Sequence, residues 1–279
     1  MNSAKPGNGP QKSGRTGGGK LNRRLVALAL PCMAGMLLFY LIPLIGSARY
    51  SLMDSVFTQR FVGLENYRTV LCNRNFRMGV CNTAALIALG VPAVFAASLL
   101  LALFVQRHGS ALHTLRAALL LPMLLPSAAV ADAFQKLPLG APRSVLLSIY
   151  LWKNAGFLML IFLAALQSVP AALYEAAALD GAGGRAMLFH ITLPSIAGSA
   201  GFAAVLAAAY NLRLFREAYL LYGDYPAEGA YLLQHYMNNH FYKLQYPILA
   251  AAALLFFCAL LCPAALCGRI RAGRCRKWR

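Results

Sequence analysis

The chain has 279 residues, 59% of them hydrophobic and only 12% charged, with a mean hydropathy of +0.58. A water-soluble domain carries about 25% charged residues, so this composition excludes an ordinary soluble fold. The formal net charge is +18, but the basic residues gather in the two tails rather than on a folded face with aromatics, which excludes a nucleic-acid partner.

Residues 1–24 come first. They are rich in Gly, Ser, Asn and Lys, and they are expected to form a disordered basic tail. The apolar run that follows is too long for a signal peptide and has no clear cleavage site, so it is expected to stay as a span. A transmembrane helix needs roughly 20 apolar residues. Six segments fit: residues 25–48, 80–105, 115–134, 145–166, 196–221 and 247–267. Pro122 and Pro126 predict a kink in the third span, because proline removes a backbone donor. The seven cysteines show no metal-binding spacing and read as small apolar side chains.

Six spans put both tails on one side, and Lys and Arg decide which. The tails carry Lys5, Lys12, Arg15, Lys20, Arg23, Arg24, Arg269, Arg271, Arg274, Arg276, Lys277 and Arg279. Arg107, Arg116 and Arg185 lie on the same side. The excess over the opposite side predicts that both termini are cytoplasmic. The chain then divides into a tail over 1–24, a transmembrane domain over 25–268 and a second basic tail over 269–279.

The longest cytoplasmic segment is 168–195, reading SVPAALYEAAALDGAGGRAMLFHITLPS. Ser168 is expected to cap a helix, with Pro170 in its first turn. Residues 171–178 are mostly strong helix formers. Asp180-Gly181 is expected to stop that helix with a left-handed glycine. Arg185–Ile191 can form a second short helix, and Pro194 marks the entry into the fifth span. The expectation is a helix-turn-helix. The rival, an amphipathic helix lying on the bilayer, is opposed by the small apolar face that Asp180, Gly181, Gly183 and Gly184 leave.

Charges inside spans are functional candidates. Arg213 and Arg216 are three apart and Glu217 is four from Arg213, so all three lie near one helix face. Two readings stand. In one, Arg213 pairs with Glu217 near the outer end of the span. In the other, Tyr210, Asn211 and Arg213 line a substrate pathway. Lys153 in span four and Asp132 in span three are within reach of a second ion pair.

The loop carries a family resemblance. Glu175-Ala176-Ala177, three residues, Gly181, nine residues and Ile191-Thr192-Leu193-Pro194 resemble the EAA loop of ABC importer permeases. Phe61-Val62-Gly63-Leu64-Glu65-Asn66-Tyr67, Asn82-Thr83, Trp152-Lys153, Gly156-Phe157, Leu166-Gln167-Ser168-Val169-Pro170 and Phe215-Arg216-Glu217-Ala218-Tyr219 are similar to the carbohydrate branch of that family, the binding-protein-dependent transport system inner membrane components. The resemblance implies an all-α membrane protein of six transmembrane helices with a cytoplasmic helix-turn-helix coupling loop. It implies that Glu175, Ala176, Ala177, Asp180, Gly181, Arg185, Ile191, Leu193 and Pro194 meet an ATPase. It further implies a second permease subunit in a heterodimer, an ATP-binding cassette ATPase dimer and an extracytoplasmic solute-binding protein. The setting would be the bilayer of a bacterial plasma membrane, and no cofactor is implied. Two features depart from the family pattern: the stretch between spans three and four is short, and Gly223-Asp224-Tyr225-Pro226 replaces a GGP motif.

An enzyme is the weaker alternative. His108, His113, His190, His235 and His240 show no HExxH arrangement, and the chain has no GxxxxGK[ST] phosphate loop, so ATP must be handled elsewhere. A non-transporting scaffold or regulator that keeps the fold is the other alternative, motivated by the shortened outer stretch.

Overall fold

The computed structural model describes residues 28–108, 113–138 and 140–276. The tail over 1–24 lies outside the described residues. Among those described, secondary structure is helical apart from one isolated bridge between Met53 and Phe61.

Helix α1 spans Leu28–Tyr50 and contains a π turn over Leu37–Leu41. The cause is Pro43, which has no N–H to give the preceding turn. The Ile42 N–H reaches back to Leu37 O instead, so the ladder shifts by one residue. After α1 the chain runs through the FVGLENY segment into α2, Glu65–Cys72. Asn66 Nδ2 donates to Ser51 O at 2.9 Å and Met53 O at 2.7 Å. Tyr67 OH lies 2.7 Å from Ser51 Oγ. The Asn66 amide thus satisfies carbonyls just past the end of α1, where no helical partner remains.

Helix α3, Arg74–His108, has 35 residues. At 1.5 Å per residue it is about 52 Å long, well beyond the roughly 30 Å hydrocarbon layer. Helix α4 is His113–Leu124 and α5 is Ser127–Gln135. Their axes meet at 96°, so Pro126 makes a corner rather than the expected kink. Pro122, by contrast, stays inside α4. Helix α6, Pro142–Gln167, starts on a proline at its first turn. It packs along α3, with Phe95 edge-on to Phe162 at 4.9 Å. Helix α4 crosses α6 at Gly156, where an added Cβ would lie 1.8 Å from Leu119 O. Only a residue without a side chain permits that approach.

Helix α7 is Ala171–Leu179 and α8 is Gly184–Ser195. Helix α8 also carries a π turn, over Leu188–Thr192, just ahead of Pro194. The Leu193 N–H reaches Leu188 O, as Ile42 reaches Leu37 ahead of Pro43. Pro194 therefore lies within α8, and the break falls two residues later at Ile196. Helices α9, Ala197–Leu212, and α10, Phe215–Tyr222, follow. The α8 axis meets the α9–α10 segment at 71°. Helix α11 is Leu233–Tyr242, and α12, Tyr246–Arg276, runs past the expected end of span six.

Two apolar cores hold the bundle. The larger joins α3, α6 and α9 around Leu86, Val94, Leu146, Ile149, Tyr150, Phe162 and Ala207. Tyr150 OH donates to Ala207 O at 2.7 Å, tying α6 to α9. The smaller joins α2, the start of α3, α11 and α12 through Val70, Phe76, Tyr236, Ala251 and Ala252. Asn82-Thr83 links the two cores. Asn82 Nδ2 donates to Tyr231 O at 2.9 Å and Thr83 Oγ1 accepts the Leu233 N–H at 3.0 Å. Helices α1, α3 and α6 are long and apolar enough to cross a membrane. Counting the two bent pairs as spans raises the number to five, and the apolar stretch of α12, Tyr246–Leu261, is shorter.

Candidate functional site

The loop between α6 and α9 is locally specified. Ser168 does not cap α7 as expected. It ends α6, its Oγ donating to Ala165 O at 2.7 Å. Pro170 is the residue before α7, with an extended ψ of 131°. The stop after α7 is a Schellman motif. The Ala182 N–H bonds Ala177 O at 2.9 Å and the Gly181 N–H bonds Ala178 O at 3.1 Å. Gly181 has φ +75°, the left-handed conformation its sequence position predicted. The two arms are then joined by Tyr174 OH and Thr192 Oγ1 at 3.0 Å, a contact with no local sequence signal.

Glu175, Ala176, Asp180, Gly181, Arg185 and Pro194 are exposed, whereas Ala177 and Ile191 are half-buried. Leu193 packs on the large core and anchors the loop to the bundle. Glu175, Asp180 and Arg185 enter none of the ion pairs among the described residues. No residue of α7 is buried, and Leu173 and Leu179 are 47% and 90% exposed. The sequence reading passed over Leu179. Its signal is a large apolar residue immediately before the Asp-Gly stop, where the preceding helix has nothing to pack against.

A second site lies inside the bundle, where two helix breaks face the middle of α6. One break is Leu125-Pro126 and the other is Arg213-Leu214. Between them Lys153 Nζ lies 2.5 Å from Glu217 Oε1, with side-chain exposures of 16% and 5%. Ser127 Oγ donates to the same oxygen at 2.8 Å. This places the carboxylate at the N-terminus of α5, where the helix dipole favours negative charge. Both ion pairs weighed from the sequence are corrected. Glu217 pairs with Lys153 and not Arg213, because the chain turns at Arg213-Leu214 and the helical i,i+4 spacing does not hold across that turn. Asp132 pairs with Lys136 at 2.8 Å on the exposed face of α5.

Arg213 instead stacks on Tyr210, its Cζ 5.4 Å from the ring centroid. Around the ion pair opens a cavity of about 670 Å³, lined in part by Ser127, Lys153, Arg213, Arg216, Glu217 and Gln234. A smaller one of about 110 Å³ adjoins it and includes Tyr150, Asn154 and Tyr210. Tyr210 and Arg213 thus reach cavity walls. Asn211 is placed apart from them. It is buried between α3 and α9, its Nδ2 donating to Leu86 O at 3.2 Å.

The end of the bundle opposite α7 and α8 is closed by α11. His235 is fully buried there, with Phe215 edge-on at 4.9 Å and Tyr231 stacked at 5.5 Å. Its Nδ1 accepts the Leu232 N–H at 3.0 Å. Burial pushes its pKa down to about 4, against a smaller opposing pull from Asp224. His240 bonds Gln245 at 2.6 Å instead, so the two histidines do not converge. Arg143 is no free loop residue either: its guanidinium donates to Asn82 Oδ1 at 2.8 Å.

Residues 74–268 match the family described as binding-protein-dependent transport system inner membrane component. The chain is 29% identical over 284 residues to the sulfoquinovosyl glycerol transport system permease protein SmoG of Agrobacterium fabrum, covering 90% of this chain and 91% of that protein. It is 28% identical over 261 residues to the trehalose/maltose transport system permease protein MalF of Thermococcus litoralis, covering 84% and 88%. Among solved structures it superposes with a TM-score of 0.76 and 25% identity on a chain of a bacterial ABC transporter involved in the import of the acidic polysaccharide alginate, covering 90% of this chain and 96% of that one. These relatives are transport-system components and not enzymes.

Proposed function

The chain belongs to the family of binding-protein-dependent transport system inner membrane components, and from that membership we propose that it forms one permease half of an ATP-driven importer for a sugar or related solute. A second, different permease subunit completes the pathway. An ATP-binding cassette ATPase dimer docks on α7 and α8, and a solute-binding protein delivers substrate at the α11 end. Both termini are cytoplasmic, on the side of Arg107 and Arg185. The relatives named for sugar transport support the solute class.

The observation that carries the reading is the α7–α8 hairpin. No residue of its first arm is buried, yet the Schellman turn and the Tyr174–Thr192 bond hold it in place. An exposed, ordered helix with two bare leucines and two free carboxylates suits a docking partner, since buried apolar area drives association and charged pairs fix register. The mechanism follows from connectivity. Closure of the ATPase dimer displaces the hairpin. Leu193 and the single residue Ile196 connect the hairpin to α9. Helix α9 ends at Arg213, on the cavity wall. A movement at the hairpin therefore reaches the cavity through one continuous helix.

Affinity purification of the full chain from cells expressing its complete transport system tests this. The expected result is recovery of an ATPase and a second permease, with the ATPase lost in Leu179→Asp and Glu175→Lys. Recovery of the chain alone, or unchanged ATPase in both variants, refutes it.

A further inference from the structure

The charge balance of the large cavity goes beyond a general sugar pathway, although it rests on the permease reading. Lys153, Arg213 and Arg216 line it against the single carboxylate of Glu217. That carboxylate is already engaged by Lys153 and Ser127. The arginines make no ion pair among the described residues, so the cavity keeps two uncompensated positive charges. Placing a charge within a span is costly, and a neutral solute gives no reason to hold two guanidinium groups on one wall. Their placement is ordered. The Arg216 N–H bonds Arg213 O at 3.2 Å, and this turn sets both side chains on the cavity. The Tyr210 ring supports the first of them.

Gln234 supplies a different kind of group on the same wall. Its Nε2 donates to Leu212 O at 3.2 Å, which fixes the amide orientation. Its Oε1 is buried with no donor. Buried acceptors are seldom left unpaired, and Gln234 lines the cavity, so a shift of its side chain on ligand entry would give this oxygen the hydroxyl donor it lacks. The volume of about 670 Å³ lies within the range of small-ligand sites, about 300–1,000 Å³.

We propose that this cavity is a subsite for an anionic carbohydrate, in which Arg213 and Arg216 bind a carboxylate, sulfonate or phosphate group and Gln234 Oε1 accepts a sugar hydroxyl. Guanidinium groups bind such oxyanions through paired, charge-assisted hydrogen bonds. The pair Lys153–Glu217 also lines the cavity and contributes no net charge.

The test uses the full chain, with the subunits that co-purify, in phosphatidylcholine nanodiscs, so that lipid headgroups add no net anion. Equilibrium binding is measured for radiolabelled trigalacturonate and its carboxyl-reduced neutral counterpart, and for glucose 6-sulfate and glucose. At least one anion is expected to bind about tenfold more tightly than its neutral partner, the scale of one charge-assisted contact. Arg213→Gln with Arg216→Gln should abolish that preference, and both residues are exposed, so the fold should survive. Gln234→Leu should weaken the anion and its neutral partner alike. No preference in either pair, including no binding at all, overturns the proposal. Loss of the second permease subunit from the double variant without any anion preference also overturns it, assigning the arginines to the subunit interface. Failure of the permease reading shows separately, as absence of the ATPase from the wild-type preparation.

Discussion

Lys153, halfway along α6, is held 2.5 Å from Glu217 of α10, whose carboxylate also meets Ser127 at the start of α5. The two residues are 64 positions apart in sequence, and each removes the other's unpaired charge from the bundle interior.

Removing one partner leaves the other charge buried, which costs about 3–5 kcal/mol, whereas replacing both with apolar groups of similar volume is near neutral. Lys153→Met and Glu217→Leu should each lower the thermal stability of the solubilised protein sharply. The double variant should recover most of it. Fluorescence-detected size exclusion after heating measures this, and additive losses in the double variant would contradict the pairing.

Gly181 occupies a left-handed position with open space around its Cβ site. A β-branched residue there is opposed by backbone strain of about 1–2 kcal/mol and not by packing. Gly181→Val should therefore leave the bundle folded while loosening the turn between α7 and α8. Uptake and ATPase recruitment are expected to fall together at unchanged membrane levels. Gly181→Asn should retain most activity, since asparagine tolerates the same conformation.

Gly156 is the opposite case. A side chain there meets the Leu119 backbone at 1.8 Å, and a backbone carbonyl cannot rotate away. Gly156→Ala should force α4 off α6, costing about 1–3 kcal/mol or more as overpacking does. A lower melting temperature is expected. Wild-type stability in this variant would mean that the two helices do not meet there.

His235 has a pKa depressed to about 4 by burial, against about 6.5 in an unfolded chain. The unfolded state therefore binds more protons below pH 6.5, and stability is lost as the pH falls from about 6.5 towards 4. His235→Gln keeps an acceptor for the Leu232 N–H without a titrating group. The melting temperature of the wild type should fall further than that of the variant between pH 7 and pH 5. Parallel pH profiles would show that His235 does not titrate in this range.

The proposed orientation is tested by single cysteines at Ser13 and Lys277, introduced after replacing the native cysteines. Neither should react with an impermeant maleimide in intact cells, and both should react after lysis. External labelling at either position would invert the chain and place α7 and α8 away from any ATPase.

What the sequence by itself determined is local. Apolar runs marked the regions where long helices form, because the hydrocarbon layer fixes their length. Asp180-Gly181 marked the turn between α7 and α8, because a Schellman stop depends on one glycine and its immediate neighbours. The tertiary structure decided everything that depends on where two distant segments meet. Glu217 looked like a partner for Arg213 only while span five was taken as one helix. The turn at Arg213-Leu214 and the 96° corner at Pro126 bring Lys153 and Ser127 to it instead and leave two arginines on a cavity wall. Tyr174 and Thr192 join two arms 18 residues apart, and Asn211 turns into the α3 packing rather than the cavity. Periodicity assigns a face to a residue within one straight helix, and it loses that power at each break. In this chain the breaks are where the charged residues converge.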